Sequence, residues 1–249
     1  MSARFTSPRQ VVFFVLVFVC ALIYAPAAWA QQRRRAPVFG ARTAVVVDER
    51  LAALRVEPNL TAELMRRLGR GRQVSIIDSV RGSEGIAYYR VAVTRRTRGW
   101  LPVLSLVVPS RAGEDERLLK LIRASEDFDQ LARARIFLDW FPRSALRPEV
   151  LLLFGNAAHA ATVKLSRDAA RRFDESESGK SDVPAALYFL NFSGLDRYRK
   201  QGITFVFDRA AKRFLYDGAS WREVVRRYSR SPEADEARKR LESLTAALK

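Results

Sequence analysis

Few side chains in this 249-residue sequence suit covalent or metal chemistry. His159 is the only histidine and Cys20 the only cysteine. A Ser-His-Asp triad would have to use His159, and no G-x-S-x-G accompanies it. His159 lies in an alanine-rich helical stretch, where a structural, packed imidazole is expected. A polyhistidine metal site fails on count, and Cys20 sits in an apolar leader, so no metal is expected. The phosphate-cradling G-x-x-x-x-G-K-[ST] and G-x-G-x-x-G loops are absent too, and no cofactor is expected. Asp208 and Asp217 flank a hairpin-like segment, and two carboxylates suffice for glycoside hydrolysis. Turn and strand-end roles explain both more simply, Asp217-Gly218 being a common turn dipeptide. The denser constellation is aromatic and basic: Tyr88, Tyr89, Arg90 and Trp100, with Arg95, Arg96 and Arg98 nearby. A shallow groove of Tyr and Trp flanked by Arg suits a peptide or glycan strand. Tyr88, Tyr89, Arg90 and Trp100 are therefore the candidate ligand-binding residues. Strand alternation requires one of the two tyrosines to point inward, and Arg95, Arg96 and Arg98 read as a solvated loop.

The compartment limits what those residues meet. Arg4 and Arg9 precede an unbroken apolar run, Val11 to Ala25. Pro26 breaks it, and Ala28-Trp29-Ala30 places small residues where signal peptidase needs them. Residues 1–30 read as a signal peptide cleaved before Gln31, and 31–42 as a basic flexible arm. The alternative is an uncleaved inner-membrane anchor. Val11 to Ala30 is long enough to span a bilayer, and Arg33, Arg34 and Arg35 follow it. The net charge of +17 favours anionic partners: lipid head groups, acidic envelope polymers or nucleic acid. Export would remove nucleic acid from that list. Cleavage would also remove Cys20, so the exported chain would fold on a packed core without disulfides.

Thr43 to Val108 is rich in β-branched runs, "TAVVV", "RQVSIID" and "YYRVAV". Glycine- and proline-containing turns separate them. Five or six short strands in this span predict a small barrel, which would remove exposed edges. "LTAELMRRL", Leu60 to Leu68, reads as a short helical turn. Four stretches fall in the order of a known family: "LRVEPN" from Leu54, "LGRGRQVSII" from Leu68, "YYRV" from Tyr88 and "RGWLPVLSL" from Arg98. The span 43–109 resembles a bacterial SH3-like domain, with Gly99-Trp100 as the most specific element. Tyr88 or Tyr89 stands where that family usually has Trp. The resemblance implies a β-barrel binding module of the kind attached to envelope-targeted proteins.

From Arg111 the period becomes helical. Leu118, Leu119 and Ile122 share one face, and Phe128, Leu131, Phe137, Leu138 and Phe141 share another. Pro142 ends that helix, and Pro148 with Glu149 opens the next. Gly155, Ala157, Ala158, Ala160 and Ala161 permit close approach of a neighbouring helix. Asp174 to Asp182 reads as a solvated linker, and Pro184 to Gly202 as a further helix stopped by Gly202. Ile203, Phe205 and Phe207 alternate, as do Phe214 and Tyr216, predicting a β-hairpin at about 203–216. Ser220 and Glu223 read as a capping box. The last helix is expected from about Pro232 to Leu248, with Ala237, Leu241, Leu244 and Leu248 inward.

"FPRSALRPEV" from Phe141 aligns with "YSRSPEADEA" from Tyr228. Each has an aromatic residue ending one helix, then x-Arg-Ser, then Glu opening the next. The region 111–249 resembles tetratricopeptide-like helix pairs, which implies a concave surface that binds proteins.

The expected fold class is therefore multi-domain: a small all-β SH3-like barrel plus a mostly α helical-hairpin domain with an inserted β-hairpin. The expected function is non-enzymatic binding or scaffolding in the periplasm or cell envelope, with peptidoglycan or an envelope protein as partner and no nucleic acid. The alternatives are an envelope hydrolase using Asp208 and Asp217, and a membrane-anchored protein whose basic arm grips anionic lipid. Mass spectrometry of the chain isolated from its natural host is expected to find Gln31 at the N-terminus. A chain still beginning near Met1 contradicts cleavage.

Overall fold

The computed structural model describes residues 42–177, 194–208, 211 and 213–246. The leader and nearly all of the basic arm lie outside them. The first described strand, β1 (Thr43–Val46), is buried at every position. Its side chains alternate between two cores. Ala44 and Val46 enter a cluster with Leu54, Val74, Tyr89, Val91, Leu101 and Leu106. Val45, and Val47 just beyond the strand, enter a second cluster built from helical residues. A near-continuous apolar run rich in valine is what a strand buried on both faces requires.

Around β1 stand β2 (Ala53–Arg55), β3 (Leu64–Arg67), β4 (Gln73–Arg81), β5 (Ala87–Ala92), β6 (Arg98–Pro102) and β7 (Leu106–Val107). They form one antiparallel sheet in the order β3-β2-β6-β5-β4-β1-β7. No closed barrel is seen: β3 and β7 end the order, with no pairing between them among the described residues. The ends have little backbone to offer each other. β7 is two residues long and committed to β1, and the register of β3 on β2 slips between Leu54 and Arg55. Leu64 to Arg67 is strand where the Leu60-Leu64-Leu68 spacing suggested a helical turn. Pairing with β2 overrides that local period, and only Leu68 of the three is buried. The open edge at β3 carries Arg66 and Arg67, charges that disfavour edge-to-edge association.

Six α-helices follow among the described residues: α1 (Glu114–Arg123), α2 (Asp127–Trp140), α3 (Arg147–Glu177), α4 (Gly194–Lys200), α5 (Ala219–Arg227) and α6 (Glu233–Ala246). The expected hairpin forms between α4 and α5, as β8 (Phe205–Asp208) and β9 (Arg213–Tyr216). The architecture is thus mixed, an antiparallel sheet and a helical layer. α3 is the central element and packs against α2, β9, α5 and α6. It continues through Asp174–Glu177, where a linker was expected. Residues 178–182 of that linker, 184–193 of the next predicted helix, and Leu248 lie outside the described residues. Gly202 adopts φ 77° after α4, the left-handed stop expected of it.

The small-residue face of α3 does bring a neighbour close. A Cβ on Gly155 would lie 2.3 Å from Trp221 Nε1, so α5 docks there only because position 155 has no side chain. The capping box is not formed. Gly218, at φ 75°, lets the chain enter α5 before Ser220. Asp217 accepts the Ala219 N–H at 3.0 Å, while Tyr216 Oη accepts the Ser220 N–H and donates to its hydroxyl, both at 2.9 Å. Glu223 instead meets Arg147 at 3.4 Å.

The two aligned segments share a turn. Phe141 and Tyr228 N–H groups donate to the carbonyls of Phe137 and Val224, each at 2.8 Å. Ser144 donates to Phe141 and Ser231 to Tyr228; Arg147 donates to Ser144 and Ala234 to Ser231. The match extends over three successive backbone bonds.

A buried ion pair joins sheet to helices. Arg133 on α2 is 4% exposed. Its Nε donates to the Val47 carbonyl at 3.2 Å, one Nη to Ser125 Oγ, and the other to Asp48 Oδ2 at 3.0 Å. Arg70, in the β3–β4 turn, reaches Asp129 of α2 at 2.9 Å. Burial pushes the Asp48 carboxyl up, but the Arg50 side-chain and backbone donors, with the charges of Arg50 and Arg133, more than offset it and hold it below the usual carboxylate range. Replacing Arg133 by Met leaves Asp48 with only the exposed Arg50 as partner and the Val47 carbonyl without its donor, and is expected to cost about 1–3 kcal/mol, read from urea unfolding. In the native chain the Asp48 contribution is present above about pH 4 and lost as pH falls through the lowered native value.

Candidate ligand-binding face

The register of β5 and β6 decides where the four candidate residues go. Tyr88 faces Pro102, Tyr89 faces Leu101, and Arg90 faces Trp100. Directly opposed residues of an antiparallel pair emerge on the same side. Arg90 and Trp100 therefore share the outer face of the sheet with Tyr88, while Tyr89 is on the inner face, in the sheet core with Val91 and Leu101. Tyr89 is 6% exposed, and its phenol oxygen accepts from Arg111 Nη1 at 2.7 Å. The structure thus separates Tyr89 from the other three.

Tyr88 is fully buried although it lies on the outer face. The β4–β5 turn and the β2–β3 loop close over it. Tyr88 Oη donates to Glu84 Oε1 at 2.6 Å, and the same oxygen accepts the Leu60 N–H at 3.0 Å. Gly82 makes the closure possible, since a Cβ there would fall 2.6 Å from the Pro58 carbonyl oxygen and 3.0 Å from the Tyr88 ring. Burial and then the Glu84 contact push the Tyr88 phenol up to about 12. The Tyr88 hydrogen bond, foremost, holds the Glu84 carboxyl below its usual range.

What remains accessible is a cross-strand row. Trp100 is half-buried, with Arg90 opposite it on β5 and Arg55 opposite it on β2. Leu64 continues the row on β3, and Asp78 on β4. Opposed Cβ atoms lie about 5 Å apart, so both arginine stems flank the indole. Arg55 Nη1 donates to the Ala62 carbonyl at 2.5 Å, which fixes it against the β2–β3 loop. Arg90 is exposed and makes no ion pair among the described residues. Leu64 and Val80, 44% and 40% exposed, add apolar surface to this face. Gly99 turns inward, where a Cβ would lie 2.9 Å from Leu54 Cγ, so it seats β6 against β2 and places Trp100 beside Arg55.

Arg55 is the site residue that spacing along the chain did not reveal. It lies 45 positions before Trp100, and only the strand order brings β2 beside β6. The available signal was the alternation Ala53-Leu54-Arg55, which turns Leu54 inward and Arg55 out.

The two carboxylates are not brought together. Asp208 pairs with Arg213 at the hairpin tip, at 3.7 Å. Asp217 follows Tyr216 at the open end and meets Arg222 at 3.7 Å. Asp217 lies four residues along the strand from Arg213, the partner of Asp208, roughly 13 Å, more than the ~5–9.5 Å between the carboxyl groups of glycosidases. Among the described residues no group of three or more His, Cys, Asp or Glu side chains converges, and no helix is long and apolar enough to cross a membrane. No protein-family model, no curated protein and no solved structure matches the chain.

A second tyrosine behaves like Tyr88. Burial raises the Tyr216 phenol to about 12 against its hydrogen bonds to Ser220. Unfolded tyrosines ionise near pH 10, whereas these two hold their protons until about 12. Their contribution is present below pH 10 and is lost as pH rises from 10 through 12. Tyr88→Phe is expected to lower stability at pH 7 by about 1 kcal/mol and to flatten that alkaline decline, both read from denaturation midpoints.

Proposed function

We propose that the chain is a non-enzymatic binding module of the bacterial cell envelope, and that it grips peptidoglycan through the outer face of its sheet. The observation that carries this reading is Trp100 set between Arg55 and Arg90 on neighbouring strands. An indole offers a flat apolar surface for a sugar ring or a peptide side chain. Guanidinium groups on either side offer paired donors to carboxylates, which peptidoglycan carries on its stem peptides. The resemblance of 43–109 to SH3-like binding domains supports the same assignment, as do the export-type leader and the charge of +17. The open strand order keeps a closed SH3-like barrel at the level of resemblance. An envelope protein recognised by the paired helices is the second reading, favoured by the shared turns at Phe141 and Tyr228.

The exported chain is expected to co-sediment with purified peptidoglycan more strongly than a charge-matched basic control. Trp100→Ala, Arg55→Gln and Arg90→Gln should each weaken retention by about tenfold, equivalent to ~1.4 kcal/mol. Retention equal to the control, or unchanged in all three variants, contradicts the proposal. Recruitment to anionic liposomes that is lost on replacing Arg33, Arg34 and Arg35 would favour the basic-arm alternative instead.

A further inference from the structure

The long helix α3 turns Gly155, His159, Thr162 and Ser166 to one side, at spacings of four, three and four residues. Gly155 admits Trp221, and the His159 ring lies one turn further on, its centroid 5.8 Å from that of Trp221. Thr162 and Ser166 donate their hydroxyls back to helix carbonyls at 2.6 and 2.7 Å, and Ser166 Oγ also accepts the Phe214 N–H at 2.8 Å. This polar stripe forms one wall of a cavity of about 430 Å3 between α3, β9, α5 and α6. That volume falls within the range of small-molecule sites.

The lining has a definite chemistry. Trp221 and Leu244 are apolar, Arg213 and Arg240 are cationic, and no acidic side chain is among the lining residues. Their acidic partners stand outside it: Asp208 is 3.7 Å from Arg213, and Glu236 is 2.8 Å from Arg240. A guanidinium has five N–H donors, so the Arg240 contact with Glu236 leaves others to face the cavity. His159 lines the cavity, and its Nδ1 is buried with no hydrogen-bond partner among the described residues. Burial, and then the Arg240 charge, hold the imidazole below its ordinary range, so at neutral pH it is an uncharged group beside two cations.

We infer that this cavity binds a small organic carboxylate, its oxygens on Arg240 and His159 Nε2 with the Arg213 charge beside them, and its apolar body against Trp221 and Leu244. The site is remote in sequence from the Trp100 row and does not depend on the envelope reading.

Because His159 is the only histidine, the untagged chain gives a single histidine Cε1–H resonance, and that resonance reports on the cavity. Benzoate is the probe, with benzyl alcohol as its uncharged counterpart. Benzoate titration is expected to shift the His159 resonance saturably at low millimolar concentrations, while benzyl alcohol and sodium chloride at matched concentration leave it in place. Arg240→Gln, a change at an exposed position, should weaken binding about tenfold or more with the circular dichroism spectrum unchanged; Arg213→Gln gives a second, independent reading. A resonance that stays fixed to about 50 mM benzoate overturns the inference, as does one that moves equally with all three additives. Benzoate binding unaffected by both arginine variants overturns it too.

Discussion

The contact on which the rest of the structure depends is the buried pair of Arg133 and Asp48. Two charges taken out of water are expensive unless their remaining hydrogen-bonding groups are also satisfied. Here they are. The Arg133 guanidinium meets the Val47 carbonyl, Ser125 Oγ and the Asp48 carboxylate, and Asp48 also accepts from the Arg50 backbone and side chain. The pair lies at the end of β1, the strand whose alternate side chains fill both cores. It therefore fixes α2 against the sheet at one register. Arg70 to Asp129 and Lys164 to Asp127 are more exposed contacts on the same helix and contribute less.

This clamp determines which part of the sheet is left to face outward. Helices cover the outer face at the β1–β7 end, where Val45, Val47 and Val107 point into the helical core. Toward β5, β6 and β2 the same face is bare of helices, and there Arg90, Trp100 and Arg55 line up. Tyr88, one row further on, is sealed by two loops tied through Glu84. Its burial supports the floor of the face while leaving the arginines accessible. Backbone pairing thus holds the proposed binding row in place, and loop side chains flank it.

How much of this was legible depended on whether a residue's role was set locally. The helices read well because Leu118, Ile122, Leu131 and Phe137 recur at the helical period and face inward in fact. The turns at Phe141 and Tyr228 read well because each is a self-contained set of backbone bonds. The hairpin at Phe205 and Phe214 followed from simple alternation. Failures came where a distant partner decided. Leu60-Leu64-Leu68 fits a helix until β2 offers a strand to pair with. Ser220 and Glu223 fit a capping box until Gly218 starts the helix early and Arg147 captures Glu223. Arg133 looks like any polar residue of an amphipathic helix, because nothing near it announces Asp48, 85 positions earlier. At the candidate site, alternation showed that the two tyrosines must part but not which way. Arg55 was invisible for the reason Arg133 was: strand order is a property of the whole sheet.

If β1 belongs to both cores, sheet and helices should lose their structure together. Native-state hydrogen exchange measures this directly, by comparing the opening free energies of amides in β1 and at Val47 with those in the middle of α3. The account predicts one shared value for the slowest amides of both layers, and a parallel fall in both with added urea. Sheet amides that open at a distinctly lower free energy than those of α3, with a separate urea dependence, would mean two independent domains and would contradict it.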